Sequence, residues 1–336
     1  MANNRQILVK ELPEGQLEER HFEMREVPNP TPGSGEVLTR TIYLSLDPAN
    51  RAWMRGATYR APVSAGQVMA GFTMAQVVES RDPSLEPGDI VECDGGWQEY
   101  AVHPAKALGR LERRGPLSHH LSVLGGTGLT AYFGLLEVGC PREGETVLVS
   151  AAAGATGNVV GQIARIQGCR TVGLAGSEAK CAWLTDELGF DAAINYRTDE
   201  LRQALKEHCP DGIDVYFDNT GGKILEAALF RMNLRGRVVC SGVVSQYDTA
   251  TPAPGPRGVP GLIVTKRLRM EGFIVSDFFR KRAEATDRLA SWIAEGRLVV
   301  REDILEGLES APRGLIGLLR GENIGKRMVR VTPEPE

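Results

Sequence analysis

The chain has 336 residues, 42% of them hydrophobic and 24% charged, with a formal net charge of −4 at pH 7. That length and balance suit a globular protein of two domains, each with its own core, and the mild acidity speaks against nucleic acid or an anionic membrane as partner. The first residues, Met1 to Gly15, lack the apolar core of a signal peptide, and no run nears the ~18 apolar residues of a membrane span, so a cytoplasmic protein is expected.

Residues 1–120 read as β-rich. Gly33-Ser34-Gly35 leads into a strand over Thr39–Leu46, and Met74–Val78 is a second. The turn Glu86-Pro87-Gly88-Asp89 feeds Ile90–Glu92, and Gly95-Gly96 precedes another strand ending at Val102. Short strands separated by Gly/Pro turns predict a compact, barrel-like β domain.

Beyond Leu117 the pattern changes to helix, over Leu121–Val138 with Gly139 as its stop. Val147-Leu148-Val149 then marks a buried strand. The small residues Ser150 to Ala155 and Gly157 follow, and Val159, Val160, Ile163, Ala164 and Ile166 recur at helical spacing up to Gly168. Strand, tight turn and helix make the first half of a dinucleotide-binding unit. Small residues let the backbone approach a pyrophosphate, and the helix start offers it unpaired N–H groups and a positive dipole end. The match to G-x-G-x-x-G is incomplete, with Ala152 in the first position and Gly154 and Gly157 in the others; a packed strand–helix turn is the plainer alternative.

Alternation continues. Strands are predicted at 171–175, 192–195, 214–218 and 237–241, and helices from the Ser177 cap to Gly189 and over 199–209 and 223–233. This rhythm implies a parallel sheet with helices on both faces. Residues 245–262, rich in Pro and Gly, read as a long loop. A strand at 268–275, a helix at 278–295 and a last strand at 326–331, returning to the first domain, complete the chain. The expected division is 1–120, 121–297 and 298–336.

An NAD site usually places Asp or Glu about 20 residues past the glycines, on the ribose 2′-hydroxyl. Leu174-Ala175-Gly176-Ser177 carries no acid, and Lys180 follows. The rival acid, Glu178, sits where any helix start favours one. Lys180 either meets a 2′-phosphate or is a solvated surface lysine. The six cysteines include no C-x-x-C pair, so free thiols are expected and neither disulfide nor zinc. The adjacent His119-His120 are assigned to surface or capping roles.

Several strings, in this order, carry a resemblance: Leu44-Ser45-Leu46-Asp47-Pro48, Gly128 to Leu135, Ala151 to Gly157, Phe217-Asp218-Asn219-Thr220-Gly221-Gly222, Leu268 to Phe273, and Asn323-Ile324-Gly325-Lys326. Over nearly its whole length the chain resembles the zinc-independent branch of the medium-chain dehydrogenase/reductases that holds prostaglandin, curcumin and plant alkenal double-bond reductases. The resemblance implies a GroES-like β-rich catalytic domain and a Rossmann-type, doubly wound α/β cofactor domain. It also implies NADP(H), a homodimer and reduction of the C=C bond of α,β-unsaturated ketones or aldehydes. Hydride goes to the β-carbon and the enolate is protonated at the α-carbon. Quinone reduction and non-catalytic NADPH binding are the alternatives.

By the same resemblance, Ala152, Gly154, Ala155, Thr156 and Gly157 cradle the coenzyme, and Lys180 and Tyr196 hold its 2′-phosphate. Asn219, Ser241, Gly242, Val243, Tyr247, Phe273, Ile274, Val275 and Asn323 match the remaining contacts. Asn219 and Asn323 are otherwise turn residues, and Phe273–Val275 otherwise a core strand. Tyr59 matches a tyrosine implicated as proton donor, or is a lid over substrate; Tyr247 and water are the other sources considered. Thr265 stands where plant members carry a tyrosine and is a poor acid. Ala49 replaces a tyrosine after Asp47-Pro48 and opens the substrate pocket, to which Tyr59, Tyr247 and Thr265 are also assigned. Gly66-Gln67-Val68 stands where zinc-dependent relatives have a histidine ligand, so no metal is expected.

Overall fold

A computed structural model of the chain describes residues 3–335. In chain order the first elements are β1 (Asn3–Val9), β2 (Phe22–Pro28), β3 (Glu36–Ser45), α1 (Pro48–Trp53), β4 (Thr73–Ser80), β5 (Ile90–Cys93) and β6 (Tyr100–Pro104). There follow α2 (Gly126–Phe133), β7 (Thr146–Val149), α3 (Ala155–Ile166), β8 (Arg170–Ala175), α4 (Glu178–Ala182) and β9 (Ala192–Asn195). Next come α5 (Leu201–His208), β10 (Ile213–Asp218), α6 (Gly222–Arg231), β11 (Met232–Cys240), α7 (Val259–Lys266), β12 (Arg269–Gly272) and α8 (Arg282–Ala294). The chain closes with β13 (Glu302–Glu306), α9 (Ala311–Leu319) and β14 (Lys326–Arg330).

β3 anchors the first sheet, whose order is β13-β14-β3-β4-β5 with β6 also on β3. Its first half pairs antiparallel with β6 and its last residues with β14, Ser45 opposite Met328. The C-terminal segment is therefore built into the N-terminal sheet.

The second sheet is parallel throughout, in the order β12-β11-β10-β7-β8-β9. This is the doubly wound order, and its direction reverses between β7 and β10, where a crevice opens at the strands' C-terminal ends. β7 explains the unbroken apolar run in the sequence. Val147 and Val149 pack with Val160 and Ile163 of α3 on one face, and Leu148 packs with Leu205 and Leu225 on the other. A strand covered on both faces has no polar side to alternate with, and each such side chain contributes about 1.5–3 kcal/mol on burial.

Local departures from the sequence reading have local causes. The helix expected over 121–138 is a 3₁₀ turn (Leu117–Leu121), then α2, then a π turn (Gly134–Gly139). α2 starts so close to the preceding turn that an added Cβ on Gly128 would lie 1.8 Å from the Val123 carbonyl oxygen. Cys140, in the left-handed region, ends the segment in place of Gly139. Helix 199–209 starts at Leu201 because Glu200 caps it, while Asp199 accepts from Asn195 N–H. Helix 223–233 ends at Arg231, and β11 begins there with a register shift. The Pro/Gly loop is shorter than expected, since Pro260 starts α7 with a fixed φ. Strand 268–275 stops at Gly272, so Phe273 to Val275 leave the sheet, and the helix expected at 278–295 begins as a 3₁₀ turn. His120 is neither a surface nor a capping residue. It is buried, and its Nε2 accepts from the Arg114 N–H at 3.0 Å.

Candidate active site

The turn after β7 holds the tightest backbone approach of the crevice. Ala151 takes a positive φ of 48°, which turns its carbonyl oxygen under the first turn of α3. An added Cβ on Gly157 would lie 2.3 Å from that oxygen and 2.8 Å from the Ala152 Cα, so only glycine fits. Buried Ala152 donates its N–H to the Leu174 carbonyl on β8. Gly154 caps α3 with no side chain to engage the first-turn N–H groups, which belong to Ala155, Thr156 and Gly157. An added Cβ on Gly154 meets the Ala151 oxygen alone within 4 Å, leaving a cradle open above the helix start. Such a start suits a phosphate.

Every strand of the parallel sheet delivers sequence-selected residues at its C-terminal end. Lys180 follows β8, Tyr196 follows β9, Asn219 follows β10, Ser241 to Val243 and Tyr247 follow β11, and Phe273 to Val275 follow β12. Asn219 is fixed by two bonds to Ser150, N–H to Oγ at 2.9 Å and Nδ2 to the carbonyl at 2.7 Å. Beside it the buried Asp218 carboxylate accepts from the Tyr216 hydroxyl (2.8 Å) and from the N–H groups of Thr220 (2.9 Å) and Gly221 (2.8 Å), so it sets the loop without a counter-cation. Asn323 arrives from the C-terminal segment. It is buried and donates to the Gly325 carbonyl at 2.8 Å, and Gly325 N–H in turn donates to Ala153 at 2.9 Å. That bridge seats residues 323–325 on the turn. Phe273 packs its ring over Gly134, where a Cβ would meet it at 2.5 Å, so its ring is core while its backbone borders the crevice.

At the ends of β8 and β9 the rival acid is taken. Glu178 accepts from Asn195 Nδ2 at 2.7 Å. Ser177 caps α4, and Lys180, on that helix, lies beside Tyr196 and Arg197 around Gly176 and Gly321. Burial, then the neighbouring Arg197 charge, pulls the Lys180 ammonium below its ordinary range. Arg197 was not selected from the sequence. Its signal was its place immediately after Tyr196 at the end of a predicted parallel strand.

The first lobe closes the crevice from the other side. Ala49 lies on α1, and Tyr59 follows it, edge-on to Trp53 at 6.2 Å between ring centroids. Tyr59 is 55% exposed, yet the protein atoms around it and the Asp47 carboxylate push its phenol up to about 12. Asp47 is held by buried Lys326 at 2.6 Å, whose Nζ also donates to the Leu46 carbonyl. Among the described residues, the buried Trp53 indole N–H has no hydrogen-bond partner. Tyr247 lies in the loop after β11, its hydroxyl accepting from Val243 N–H at 3.4 Å, and the next residue, Asp248, pairs with fully buried Arg51 of α1 at 3.1 Å and accepts from Leu17 N–H. Sequence reasoning missed this clasp between lobes, since its partners are 197 positions apart. Thr265 lies on an exposed side of α7 with its hydroxyl on the Gly261 carbonyl.

Gln67, at the position of a zinc relative's histidine, accepts from Ser64 N–H, and among the described residues no three His, Cys, Asp or Glu side chains gather as a metal site requires. All six cysteines are unpaired. A depression of about 460 Å³ lined by Glu306, Arg330 and Glu334 lies at the far end of β14, away from the crevice.

Residues 5–111 match the family described as the N-terminal domain of oxidoreductase, and residues 155–294 that described as zinc-binding dehydrogenase. The NADPH-dependent curcumin reductase of Escherichia coli is 42% identical over 98% of this chain and 97% of its own. The NADP(+)-dependent 2-alkenal reductase of Nicotiana tabacum is 41% identical over 99% of both chains. Among solved structures, CurA of Vibrio vulnificus in complex with NADPH superposes with a TM-score of 0.93 at 38% identity, covering 98% of this chain and all of that one. The doubly wound sheet, the crevice at its switch point and the full-length similarity agree: the chain belongs to the medium-chain dehydrogenase/reductase family, in the branch of the prostaglandin, curcumin and alkenal reductases.

Proposed function

We propose that this chain is an NADPH-dependent reductase of the C=C bond in α,β-unsaturated ketones and aldehydes, working without a metal. One observation carries the reading: the six parallel strands bring to one crevice a helix start with no side-chain cap and a Lys180–Tyr196 corner whose acid Glu178 is engaged by Asn195, and the Tyr59 lobe covers that crevice. When bound, the coenzyme supplies hydride to the substrate's β-carbon.

The chain's own residues bind, orient and protonate. First-turn N–H groups of α3 would hold the pyrophosphate, and Lys180 and Tyr196 would hold the 2′-phosphate. Asn219, Ser241 to Val243, Phe273 to Val275 and Asn323 orient the nicotinamide half. The Tyr59 hydroxyl, kept protonated far above neutral pH, donates to the enolate. Ala49 leaves room for substrate, and Tyr247 lines the same mouth; Thr265, its hydroxyl turned to its own helix, stands at the pocket's outer edge.

The functional division follows the sheets: 1–120 with 298–336 for substrate and 121–297 for coenzyme, supported by the pairing of β14 with β3. Pairing of two copies is supported by the open edge of β12 and by exposed Val264 and Ile274 beside it. No helix among the described residues is long and apolar enough to cross a membrane, and a cytoplasmic location is the companion proposal.

The test is an NADPH-coupled screen of enals, enones and quinones with product identification. Saturated ketones or aldehydes support the reading. Turnover of quinones alone, or allylic alcohols as product, overturns it.

A further inference from the structure

Among the described residues no carboxylate pairs with either cation of the 2′-phosphate corner; both are held by carbonyls. Lys180 Nζ donates to the Gly321 carbonyl at 2.6 Å, and Arg197 Nη2 donates to the Arg320 carbonyl at 3.1 Å. Nearby carboxylates are engaged elsewhere. Glu178 is on Asn195, Asp199 is on Asn195 N–H and Thr198, and Asp303 is on Arg327 at 2.8 Å.

Both accepting carbonyls sit at the C-terminus of α9, in the segment built into the first lobe. That end is a Schellman turn. Gly321 has a φ of 73° and donates to the Leu318 carbonyl, and Glu322 N–H donates to the Gly317 carbonyl. The turn satisfies the helix's inner carbonyls and leaves those of residues 320 and 321 facing outward, at the negative end of the helix dipole. Two residues later comes Asn323, and Gly325 lies on the Ala153–Gly154 turn.

We propose that Arg197 is a third anchor for the 2′-phosphate and that this phosphate, on arrival, draws Arg197 and Lys180 off the α9 carbonyls and so frees the segment that carries Asn323. This rests on the coenzyme reading above. A dianion outcompetes a neutral carbonyl for a guanidinium and an ammonium, because the charge-assisted bonds are about twice as strong. Arg197 is exposed and needs no refolding to turn. Its guanidinium stands 6.0 Å from the Tyr196 ring centroid, and its Nε lies 3.3 Å from where a Gly176 Cβ would be, against 2.9 Å for the Tyr196 hydroxyl. Gly176 thus borders two donors, and Gly321 borders Arg197 again together with the Lys180 ammonium. The consequence is a coenzyme check: NADH reaches the same crevice but leaves the latch shut.

Two measurements on the full-length protein test this. In the first, NADPH and NADH are titrated calorimetrically against wild type, Arg197→Ala and Arg197→Lys. Arg197→Ala should weaken NADPH by about 10- to 100-fold, leave NADH within about twofold, and be largely rescued by lysine. Unchanged NADPH affinity, or equal losses for both coenzymes, overturns the proposal. In the second, hydrogen exchange of wild type is followed with adenosine 2′,5′-bisphosphate and with adenosine 5′-monophosphate. The bisphosphate should speed exchange at the Gly325 amide, which seats the Asn323 segment on Ala153, and the monophosphate should not. Equal exchange with both overturns the latch. A wild type that takes up neither NADPH nor the bisphosphate overturns the coenzyme reading itself, whereas a wild type that prefers NADPH beside an indifferent Arg197→Ala overturns only this inference.

Discussion

The glycine pair at the start of α3 separates a steric requirement from a binding one. In Gly157→Ala the new Cβ would lie 2.3 Å from the Ala151 oxygen, 2.9 Å from its carbonyl carbon and 2.8 Å from the Ala152 Cα. All three are backbone atoms, so no side chain can swing aside, and the turn and helix must part by about 1 Å to restore van der Waals contact. Overpacking of this kind costs about 1–3 kcal/mol, or roughly 2–4 °C of melting temperature per kcal/mol in a lobe of this size. The parted turn also misdirects the first N–H groups. One charge-assisted hydrogen bond lost is worth about 1.5–3 kcal/mol, or roughly 10- to 150-fold in Kd. Gly154→Ala is the control. Its φ of −83° suits alanine and its Cβ meets only the Ala151 oxygen, at 3.1 Å. It should therefore melt within about 1 kcal/mol of wild type while losing NADPH affinity, because the methyl occupies the cradle. Thermal unfolding of the apoproteins and NADPH titration are the assays. If Gly157→Ala melts and binds like wild type, or if Gly154→Ala binds NADPH unchanged, the turn is not a coenzyme cradle.

Three further outcomes are expected. Lys180→Ala should raise KM for NADPH by about 10- to 100-fold with little effect on NADH, and equal effects would remove the phosphate assignment. Tyr59→Phe should lower kcat by about 10²- to 10⁴-fold at unchanged NADPH affinity; with its phenol at about 12, the wild-type kcat should show no alkaline fall from this group below about pH 11. Burial, followed by the charges of His119 and Arg114, lowers buried His120 from 6.5 to about 4. The unfolded chain then binds the proton first as pH drops, so stability is complete above pH 6.5 and falls towards pH 4 by roughly 3 kcal/mol. His120→Gln, which can still accept from Arg114 N–H, should flatten that slope in urea unfolding from pH 7 to 4.

What could be read in the sequence was local. Val147-Leu148-Val149 announces a strand buried on both faces, and the small residues after it announce a close backbone approach, because each signal lies within a few positions. Asn219 and Asn323 were selected by motif, and the structure ties them to Ser150 and Gly325. Pairings across the fold left no such trace. Arg51 meets Asp248, and Arg197 meets the end of α9, only once two lobes are folded together. His120 looked like a surface residue because a 3₁₀ turn, not an α-helix, sets which of two adjacent histidines faces inward. The α7 helix hid in a Pro/Gly run because proline, a breaker inside a helix, is a starter in its first turn.

The central claim is that this crevice directs hydride to the β-carbon of a conjugated carbonyl compound and that the protein supplies the second hydrogen as a proton. The most direct test is turnover of an enone with NADPH deuterated at the transferring position, followed by NMR of the product. The account predicts a saturated ketone with deuterium on the β-carbon and solvent hydrogen on the α-carbon. Deuterium on the carbonyl carbon of an allylic alcohol, or no turnover of any conjugated carbonyl compound by NADPH-saturated protein, would contradict it.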